Sequence, residues 1–276
     1  MSPFFSIIVV CLNPGEKLIT TLRSIEEQTF HDFEVIVKDG LSTDGSLDYV
    51  QELVAQWKHK DLDLRLISKK DSGIYDAMNQ AVTEASGRYI YFLNSGDCFA
   101  SKEVLQEIAN GIVTDRGEAE VAKTVYYGNI FERKTQQKVT SNPHLDAFGC
   151  YRNVPCHQAC FYSRELLVAH PFQTTYKVRA DYEHFLWCFF KEKATMIYRD
   201  LTIADYEGGG YSETKANQKV SAAEHQEITK QYFTQAQLSK YKFILCITLA
   251  PLRTWIAANK KLAGVYNRIK NLMYRK

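Results

Sequence analysis

Short apolar runs alternate with amphipathic stretches along the first hundred residues. The runs contain many β-branched and aromatic residues and few charges, and they cover residues 4–11, 33–38, 64–68 and 88–93. Between them apolar residues recur at helical spacing, as at Leu18, Leu22 and Ile25. Continuous apolar runs are typical of strands buried on both faces of a parallel sheet. The pattern therefore predicts an α/β domain, Rossmann-like, with a mostly parallel central sheet and flanking helices.

After residue 100 the pattern predicts a helix over 102–109, a strand near 121–131, a polar hairpin-like stretch, and an amphipathic helix over 181–191. No Pro/Gly/Ser-rich linker separates the two parts of the chain. We expect one continuous domain, with a nucleotide-binding half over 1–100 and an acceptor-binding half over 101–230. Residues 231–276 are expected to form a basic amphipathic tail.

Composition places the chain among ordinary globular proteins. Hydrophobic residues make up 45% of the 276 residues and charged residues 24%, which excludes disordered and collagen-like classes. The amino terminus lacks the basic segment of a secretory signal, and no apolar run approaches the ~18 residues of a membrane span. Seven scattered cysteines fit free thiols in a reducing compartment. We expect a cytoplasmic protein.

Charge is distributed unevenly along the chain. From residue 240 onward there are nine Lys and Arg residues and no acids, so a net charge of +2 leaves −7 for residues 1–239. An acidic body argues against nucleic-acid binding. Lysines interleaved with Trp255 and tyrosines favour an amphipathic tail on an anionic membrane surface, at the inner face of the membrane. The alternative is a helix that packs on the body or on a partner.

A polar cluster follows each of the four predicted strands. The clusters cover residues 13–15, 37–46, 69–79 and 94–97. Any one of them is explained equally well as a turn or a helix cap, as for Asp44 before Gly45 and Ser46. In open α/β sheets, however, ligands bind outside the carboxyl ends of the strands. Four clusters at one sheet edge therefore predict a ligand site.

Four of these segments carry a family resemblance. SIIVVCLN (6–13), VKDGLSTDGSLDYV (37–50), SKKDSGIYDAMNQAV (68–82) and GRYIYFLNSGD (87–97) resemble the donor half of inverting family-two glycosyltransferases with the GT-A fold. Residues 154–167, 176–187 and 204–212 are similar to the acceptor half of the colanic-acid and capsule polysaccharide subgroup. The resemblance covers residues 4 to about 230, with a gap over 110–150.

The resemblance implies a donor site for a nucleoside-diphosphate sugar, with UDP as the nucleotide. Asp39 would accept a hydrogen bond from the uracil imide, and Asp71 would complete the base and ribose pocket. The backbone near Asn13 would pack on the base, and Asn94 would contribute to donor binding. His157 would contact the diphosphate or orient the acceptor, although a lone histidine is equally well explained as a core residue.

The resemblance also implies a metal ligand and a catalytic base. Asp97 would hold Mg²⁺ or Mn²⁺ against the pyrophosphate, although Asn94-Ser95-Gly96-Asp97 has one carboxylate where many relatives have three; the alternative for Asp97 is a helix cap. Asp181 would be the base, with Glu183 as the second candidate or as a solvated helix residue. Gly208–Ser212 would form a lid.

A zinc site at Cys150, Cys156, His157 and Cys160 is disfavoured, because their spacing matches no tight metal knuckle. The sequence as a whole predicts an inverting transfer of a sugar from a UDP-sugar to a lipid-linked or growing saccharide in bacterial surface polysaccharide synthesis. A catalytically degenerate nucleotide-sugar-binding or scaffold protein is the main alternative. A nucleotidyltransferase is less consistent, because 11–17 lacks a Gly-rich basic phosphate loop.

Overall fold

The computed structural model describes residues 2–58, 62–116, 123–208, 214–248, 264 and 268. The first part of the chain alternates between strand and helix: β1 (Phe5–Cys11), α1 (Lys17–Glu26), β2 (Phe33–Asp39), α2 (Ser46–Lys58), β3 (Asp63–Ser68), α3 (Ile74–Glu84) and β4 (Tyr89–Phe92). The four strands and three helices predicted for this part are confirmed. Their boundaries lie within about two residues of the apolar runs.

The second part is less regular. Its elements are β5 (Cys98–Phe99), α4 (Val104–Arg116), β6 (Thr124–Glu132), β7 (Gln137–Val139), α5 (Ala147–Arg152), β8 (Cys160–Ser163), α6 (Arg164–Ala169), α7 (Ala180–Leu186), β9 (Thr195–Tyr206), α8 (Lys215–Tyr232) and α9 (Gln235–Ile247). A 3₁₀ turn, His157–Ala159, precedes β8, and a π-helical turn, Trp187–Lys191, follows α7. The predicted helix over 181–191 is thus an α-helix that changes to a wider turn halfway.

All nine described strands form one sheet in the order β3-β2-β1-β4-β8-β6-β9-β5, with β7 paired to β6. The pairings of β1 with β2 and β4, of β2 with β3, and of β6 with β9 are parallel, whereas the other pairings are antiparallel. The prediction of a mostly parallel sheet is therefore wrong beyond β4. Apolar periodicity identifies a strand but does not encode the direction in which it joins its neighbours.

Both faces of the central strands are buried. Along β1, Ile7 and Val9 belong to one hydrophobic cluster, whereas Ile8 and Val10 belong to the other. Helices α1, α2 and α4 cover the first cluster, and α3 with the helices from α5 onward covers the second. This layering explains the continuous apolar runs, because alternate side chains of a strand point to opposite faces and each face is covered by helices.

A buried carboxylate, Glu34, ties the amino ends of the strands together. It accepts hydrogen bonds from the Ser6 hydroxyl at 2.5 Å, from the Ser86 N–H at 2.6 Å and from the Gly87 N–H at 3.1 Å, and it pairs with Arg65. Burial raises the pKa of Glu34, but these hydrogen bonds and the arginine outweigh burial, so the pKa lies below its usual value.

The carboxyl-terminal part of the chain contributes α8 and α9, which pack on the second cluster through Ile228, Leu238 and Tyr241. No helix among the described residues is long and apolar enough to cross a membrane. In the predicted basic tail, residues 249–263, 265–267 and 269–276 lie outside the described residues, as do residues 209–212 of the predicted lid.

Candidate active site

A cavity of about 1240 Å³ opens at the carboxyl ends of the parallel strands. It is lined by the segments that follow β1, β3 and β4 and by the beginning of α7. Single small-ligand sites typically measure ~300–1,000 Å³, so this volume is enough for two substrates at once. The predicted site residues that line it are Asn13, Asp71, Asn94, Asp97, His157 and Asp181.

Asp39 lies at the carboxyl end of β2 but does not line the cavity. Its side chain is 0% exposed and accepts hydrogen bonds from the Leu41 N–H at 2.9 Å, the Ser42 N–H at 3.0 Å and the Ser68 hydroxyl at 2.7 Å. Burial raises the pKa of Asp39, yet these bonds outweigh it and hold the pKa below its usual value. In this arrangement Asp39 organises the loop after β2, and its contact with a nucleobase stays a prediction.

Asn13 connects the loops that follow β1 and β2. Its backbone N–H donates to the Ser42 hydroxyl at 2.7 Å, and its side-chain oxygen accepts the Thr43 N–H at 2.8 Å. Asn13 adopts a left-handed backbone conformation with φ of 48°, which asparagine tolerates better than most residues. These contacts place the two loops side by side at the rim of the cavity.

Asp71 is held by a buried lysine that the sequence analysis missed. Lys38, 0% exposed, donates to Asp71 Oδ2 at 2.9 Å and to the carbonyl oxygens of Asp39 at 2.9 Å and Lys69 at 2.6 Å. The lysine side chain therefore has three acceptors, and the carboxylate is fixed at the cavity wall. The signal in the sequence was Lys38 itself, which ends the apolar run FEVIVK. A lysine in a buried strand is rarely left without a charged or polar partner, so its position predicts a buried acceptor nearby.

Asp181, at the start of α7, is clamped from two sides. Its Oδ1 accepts the Tyr75 hydroxyl and the Tyr182 N–H, both at 2.9 Å, and its Oδ2 lies 3.4 Å from Nδ1 of His157. Burial raises the pKa of Asp181, but the bonds from His157, Tyr75 and Tyr182 prevail and hold the pKa below its usual value. The side chain is 27% exposed toward the cavity. It is therefore an ionised, oriented carboxylate at neutral pH.

His157 bridges Asp181 and the loop after β4. Its Nε2 lies 3.2 Å from Nδ2 of Asn94. An amide nitrogen donates and cannot accept, so the hydrogen-bond network assigns the imidazole proton to Nδ1, where it faces Asp181. The ring lies in the cavity wall and contacts two predicted site residues, and a functional role for His157 stays a prediction.

Asp97 is 4% exposed at the end of the same loop. Its Oδ1 accepts the N–H of Glu207 at 2.7 Å, and its backbone carbonyl accepts the Thr21 hydroxyl at 2.8 Å. Among the described residues its carboxylate contacts Glu207, which follows β9, and Gln158, which precedes β8, and not the first turn of α4, so the helix-cap alternative is wrong. Burial raises the pKa of Asp97, and the bonds from Glu207 and Gln158 offset this only in part.

Glu183 is not positioned to act as the base. Its side chain is 1% exposed, and its carboxylate contacts Nε2 of His170 at 2.9 Å and the Tyr232 hydroxyl. Residues two apart on a helix face different directions, so Asp181 reaches the cavity while the side chain of Glu183 is buried on another face of α7. Both sequence-based alternatives for Glu183, a second base and a solvated residue, are therefore wrong.

A family model described as glycosyl transferase family 2 matches residues 6–170 of the chain. This protein belongs to glycosyl transferase family 2. A PGL/p-HBAD biosynthesis glycosyltransferase of Mycobacterium tuberculosis is 36% identical over 217 residues, which is 77% of this chain and 80% of the relative. An uncharacterized glycosyltransferase of the same species is 27% identical over 210 residues, covering 73% of this chain and 72% of that protein.

Solved structures share the fold of this family 2 protein at lower identity. The S. aureus TarS 1–349 structure in complex with UDP is 20% identical with a TM-score of 0.60, covering 94% of this chain and 79% of that one. In another TarS 1–349 structure the match spans 60% of that chain. The mannosyltransferase PcManGT of Pyrobaculum calidifontis, in complex with GDP-Man and Mn²⁺, is 15% identical with a TM-score of 0.57, covering 100% and 89%. These likenesses establish a GT-A-like α/β fold.

Within the described part of the chain no group of three or more His, Cys, Asp or Glu side chains is placed to hold a metal ion, so a cation at Asp97 would depend on neutral oxygens and on the substrate. The side-chain oxygens of Asn94 and Ser95 are buried and have no hydrogen-bond partner within the described part of the chain. Hard cations such as Mg²⁺ and Mn²⁺ take oxygen ligands, and Mg²⁺ commonly uses one or two carboxylates together with substrate phosphates. One carboxylate, unpartnered neutral oxygens and a diphosphate form a suitable donor set.

A second residue missed from the sequence, Glu224, holds the turn before Asp181 in this family 2 protein. From α8 its buried carboxylate accepts three consecutive backbone N–H groups, those of Lys177 at 2.7 Å, Val178 at 3.0 Å and Arg179 at 2.9 Å. These residues lead directly into α7, and the Val178 carbonyl oxygen lies 2.8 Å from the Tyr75 hydroxyl, whose single proton it shares with Oδ1 of Asp181. Glu224 thus anchors the turn that carries Asp181. No local sequence signal marks it, because it is one of two glutamates along α8 and nothing in their neighbourhood distinguishes them.

Proposed function

We propose that this glycosyltransferase moves a sugar from a UDP-sugar to a lipid-linked or growing saccharide, with inversion at the anomeric carbon, in bacterial surface polysaccharide or glycolipid synthesis. The observation that carries the proposal is the ionised Asp181 carboxylate, clamped by Tyr75 and His157 in a cavity with room for two substrates. Direct displacement needs one well-placed carboxylate to accept the proton of the attacking hydroxyl.

Asp181 has one oxygen suited to that role. Oδ1 already accepts two hydrogen bonds, whereas Oδ2 has only the longer contact to His157. The acceptor hydroxyl would give its proton to Oδ2 while its oxygen bonds to the anomeric carbon and the bond from that carbon to the β-phosphate oxygen breaks. UDP leaves, and the configuration inverts because attack and departure occur on opposite faces.

The donor would lie along the segments after β1, β3 and β4. Asp71 and the backbone near Asn13 would hold the nucleoside, and Asn94 and His157 would face the diphosphate. Asp39 would read the uracil only after the loop that follows β2 releases its carboxylate, which is 0% exposed. The UDP complex of TarS, which has a similar fold, supports this choice of nucleotide. Asp97 would hold Mg²⁺ or Mn²⁺, which when bound stabilises negative charge on the departing diphosphate.

The acceptor and membrane assignments rest on the second half of the chain. Residues 1–100 would bind the donor, 101–230 the acceptor, and 231–276 an anionic membrane surface at the inner, cytoplasmic face. On α9 the exposed side chains of Phe243 and Ile247 lie near Lys240 and Lys242, and further basic residues follow. Apolar and basic side chains on one exposed surface are typical of helices that lie in a membrane interface.

The substitution Asp181→Asn tests the function. We expect UDP to raise the melting temperature of the variant as it does that of the wild type, in a panel that also includes GDP, dTDP and CDP with and without Mn²⁺. Transfer from the matching UDP-sugar should fall by ~10²–10⁴-fold. The control is Asp63→Asn, which changes an exposed carboxylate at the amino end of β3. Full turnover in Asp181→Asn refutes the assignment, and UDP binding by the wild type without any transfer favours the scaffold alternative.

A further inference from the structure

Three of the four described Lys and Arg residues that line the cavity lie on two segments near the start of α7, whereas Lys17 follows β1 and pairs with Glu207. Among the described lining residues, those that follow the parallel strands include the acids Asp71, Asp76 and Asp97. The opposite side, formed by residues 149–155 and 174–179 and called here the cationic wall, contains Arg152, Lys177 and Arg179 and no acid. A cavity wall with charges of one sign attracts a ligand group of the opposite sign.

Among the described residues, Arg152, Lys177 and Arg179 form no ion pair with a carboxylate. Arg179 donates to the Ser221 hydroxyl at 2.7 Å, which fixes its guanidinium without using up its charge. Glu224 lies behind the wall, but its oxygens accept backbone N–H groups.

The cationic wall contacts Tyr182, the residue that follows Asp181 in the chain. The guanidinium of Arg179 lies 5.4 Å from the ring centre of Tyr182. The Tyr182 hydroxyl in turn donates at 3.0 Å to the carbonyl of Cys150, two residues before Arg152. A group bound at this wall is therefore close to the hydroxyl that Asp181 would deprotonate. The proposed diphosphate position is beside the loop after β4, which is connected to Asp181 through His157 and not through Tyr182.

We infer that the acceptor is a phosphate-bearing saccharide, whose phosphate or diphosphate binds Arg152, Lys177 and Arg179 while its hydroxyl reaches Asp181. This inference rests on the proposed function, since it assigns the second substrate of the same site. Phosphate is the anion that suits this wall, because the planar guanidinium donates two parallel hydrogen bonds to it and lysine is a common phosphate ligand. Both a soluble sugar phosphate and a lipid-linked saccharide diphosphate contain this group.

The test uses two probes that differ only in the phosphate, α-glucose 1-phosphate and methyl α-glucoside, titrated by calorimetry or ligand-detected NMR into protein saturated with UDP. We expect the phosphate to improve affinity at least tenfold in the wild type. Arg152→Glu and Lys177→Glu should each remove at least tenfold of that affinity and leave UDP affinity within about twofold. The matched control is Lys230→Glu, the same charge change at an exposed position of α8 outside the cavity.

A second arm uses glucose linked through diphosphate to a short polyprenyl chain. Tighter binding of this probe than of glucose 1-phosphate, lost in the same variants, assigns the phosphate to a lipid-linked acceptor, and equal binding assigns it to a soluble one. Vesicles of phosphatidylglycerol without sugar test the remaining source of phosphate. If only vesicle binding depends on Arg152 and Lys177, the wall contacts headgroups and the inference is wrong.

Two further outcomes overturn the inference. Equal affinity for glucose 1-phosphate and the neutral glucoside would show that the wall does not select an anion. A loss of UDP affinity in Arg152→Glu and Lys177→Glu would assign the cations to the donor diphosphate. Failure of the proposed function is distinguishable from both, because the wild type would then either not bind UDP or bind UDP without transferring sugar in the assay for Asp181→Asn.

Discussion

The anchor of the catalytic turn makes a quantitative prediction. In Glu224→Gln the amide retains one oxygen, which can still accept the N–H groups of Val178 and Arg179, but its NH₂ group then faces the N–H of Lys177. An unsatisfied N–H in this partly buried turn costs about 1–3 kcal/mol, and loss of the charge on the acceptor weakens each of the other two bonds by about 0.5–1 kcal/mol. We expect the free energy of unfolding to fall by about 2–5 kcal/mol.

Urea unfolding at neutral pH measures this change, and the structure offers a matched control on the same helix. Glu227 is exposed, and within the described part of the chain its carboxylate accepts one hydrogen bond, from the Tyr176 hydroxyl at 3.2 Å. Glu227→Gln should therefore change the free energy of unfolding by no more than about 0.5 kcal/mol. Because the turn leads into α7, transfer should fall more than UDP affinity in Glu224→Gln. Equal unfolding free energies for the two variants would contradict the anchoring role.

Three other predictions follow from the buried polar contacts. Tyr75→Phe removes a hydrogen bond that lowers the pKa of Asp181, so the acidic limb of the pH profile of transfer should move to higher pH. An unchanged profile would show that this hydrogen bond does not affect the pKa of Asp181. The pKa of Glu34 is lowered in the folded state, so the ionised carboxylate stabilises the fold above the ordinary carboxyl pKa, and this stabilisation is lost as pH falls through the pKa of the folded state. Glu34→Gln should therefore have a lower free energy of unfolding at pH 7. Below about pH 5 its free energy of unfolding, measured in urea titrations, should fall less steeply than that of the wild type. Lys38→Met leaves the carboxylate of Asp71 and two carbonyl groups without their donor, which should cost about 3–5 kcal/mol in chemical unfolding and weaken UDP binding; wild-type stability would refute the buried pair.

The sequence predicted which segments meet at the site better than how each residue is held there. Asn13, Asp71, Asn94 and Asp97 line one cavity as expected, because parallel strands bring the segments that follow them to the same edge of the sheet. His157 and Asp181, expected from the family resemblance, line the same cavity from the turn before β8 and from α7. Asp39 comes from an equally regular strand, yet it is buried under its own loop. The residue type and spacing of these segments do not distinguish a side chain that faces the cavity from one that supports the loop.

By itself the sequence determined the strands and helices of the first hundred residues and the loops in which the polar groups lie. Those features depend on local periodicity, since a strand covered on both faces must be apolar at consecutive positions. Only the tertiary structure decided the direction of β8, the burial of Glu183, and the contact of Tyr75 with Asp181, which joins residues 106 positions apart. Such contacts are set by how helices pack across the sheet, and a pattern that repeats every two to four residues carries no information about partners at that distance.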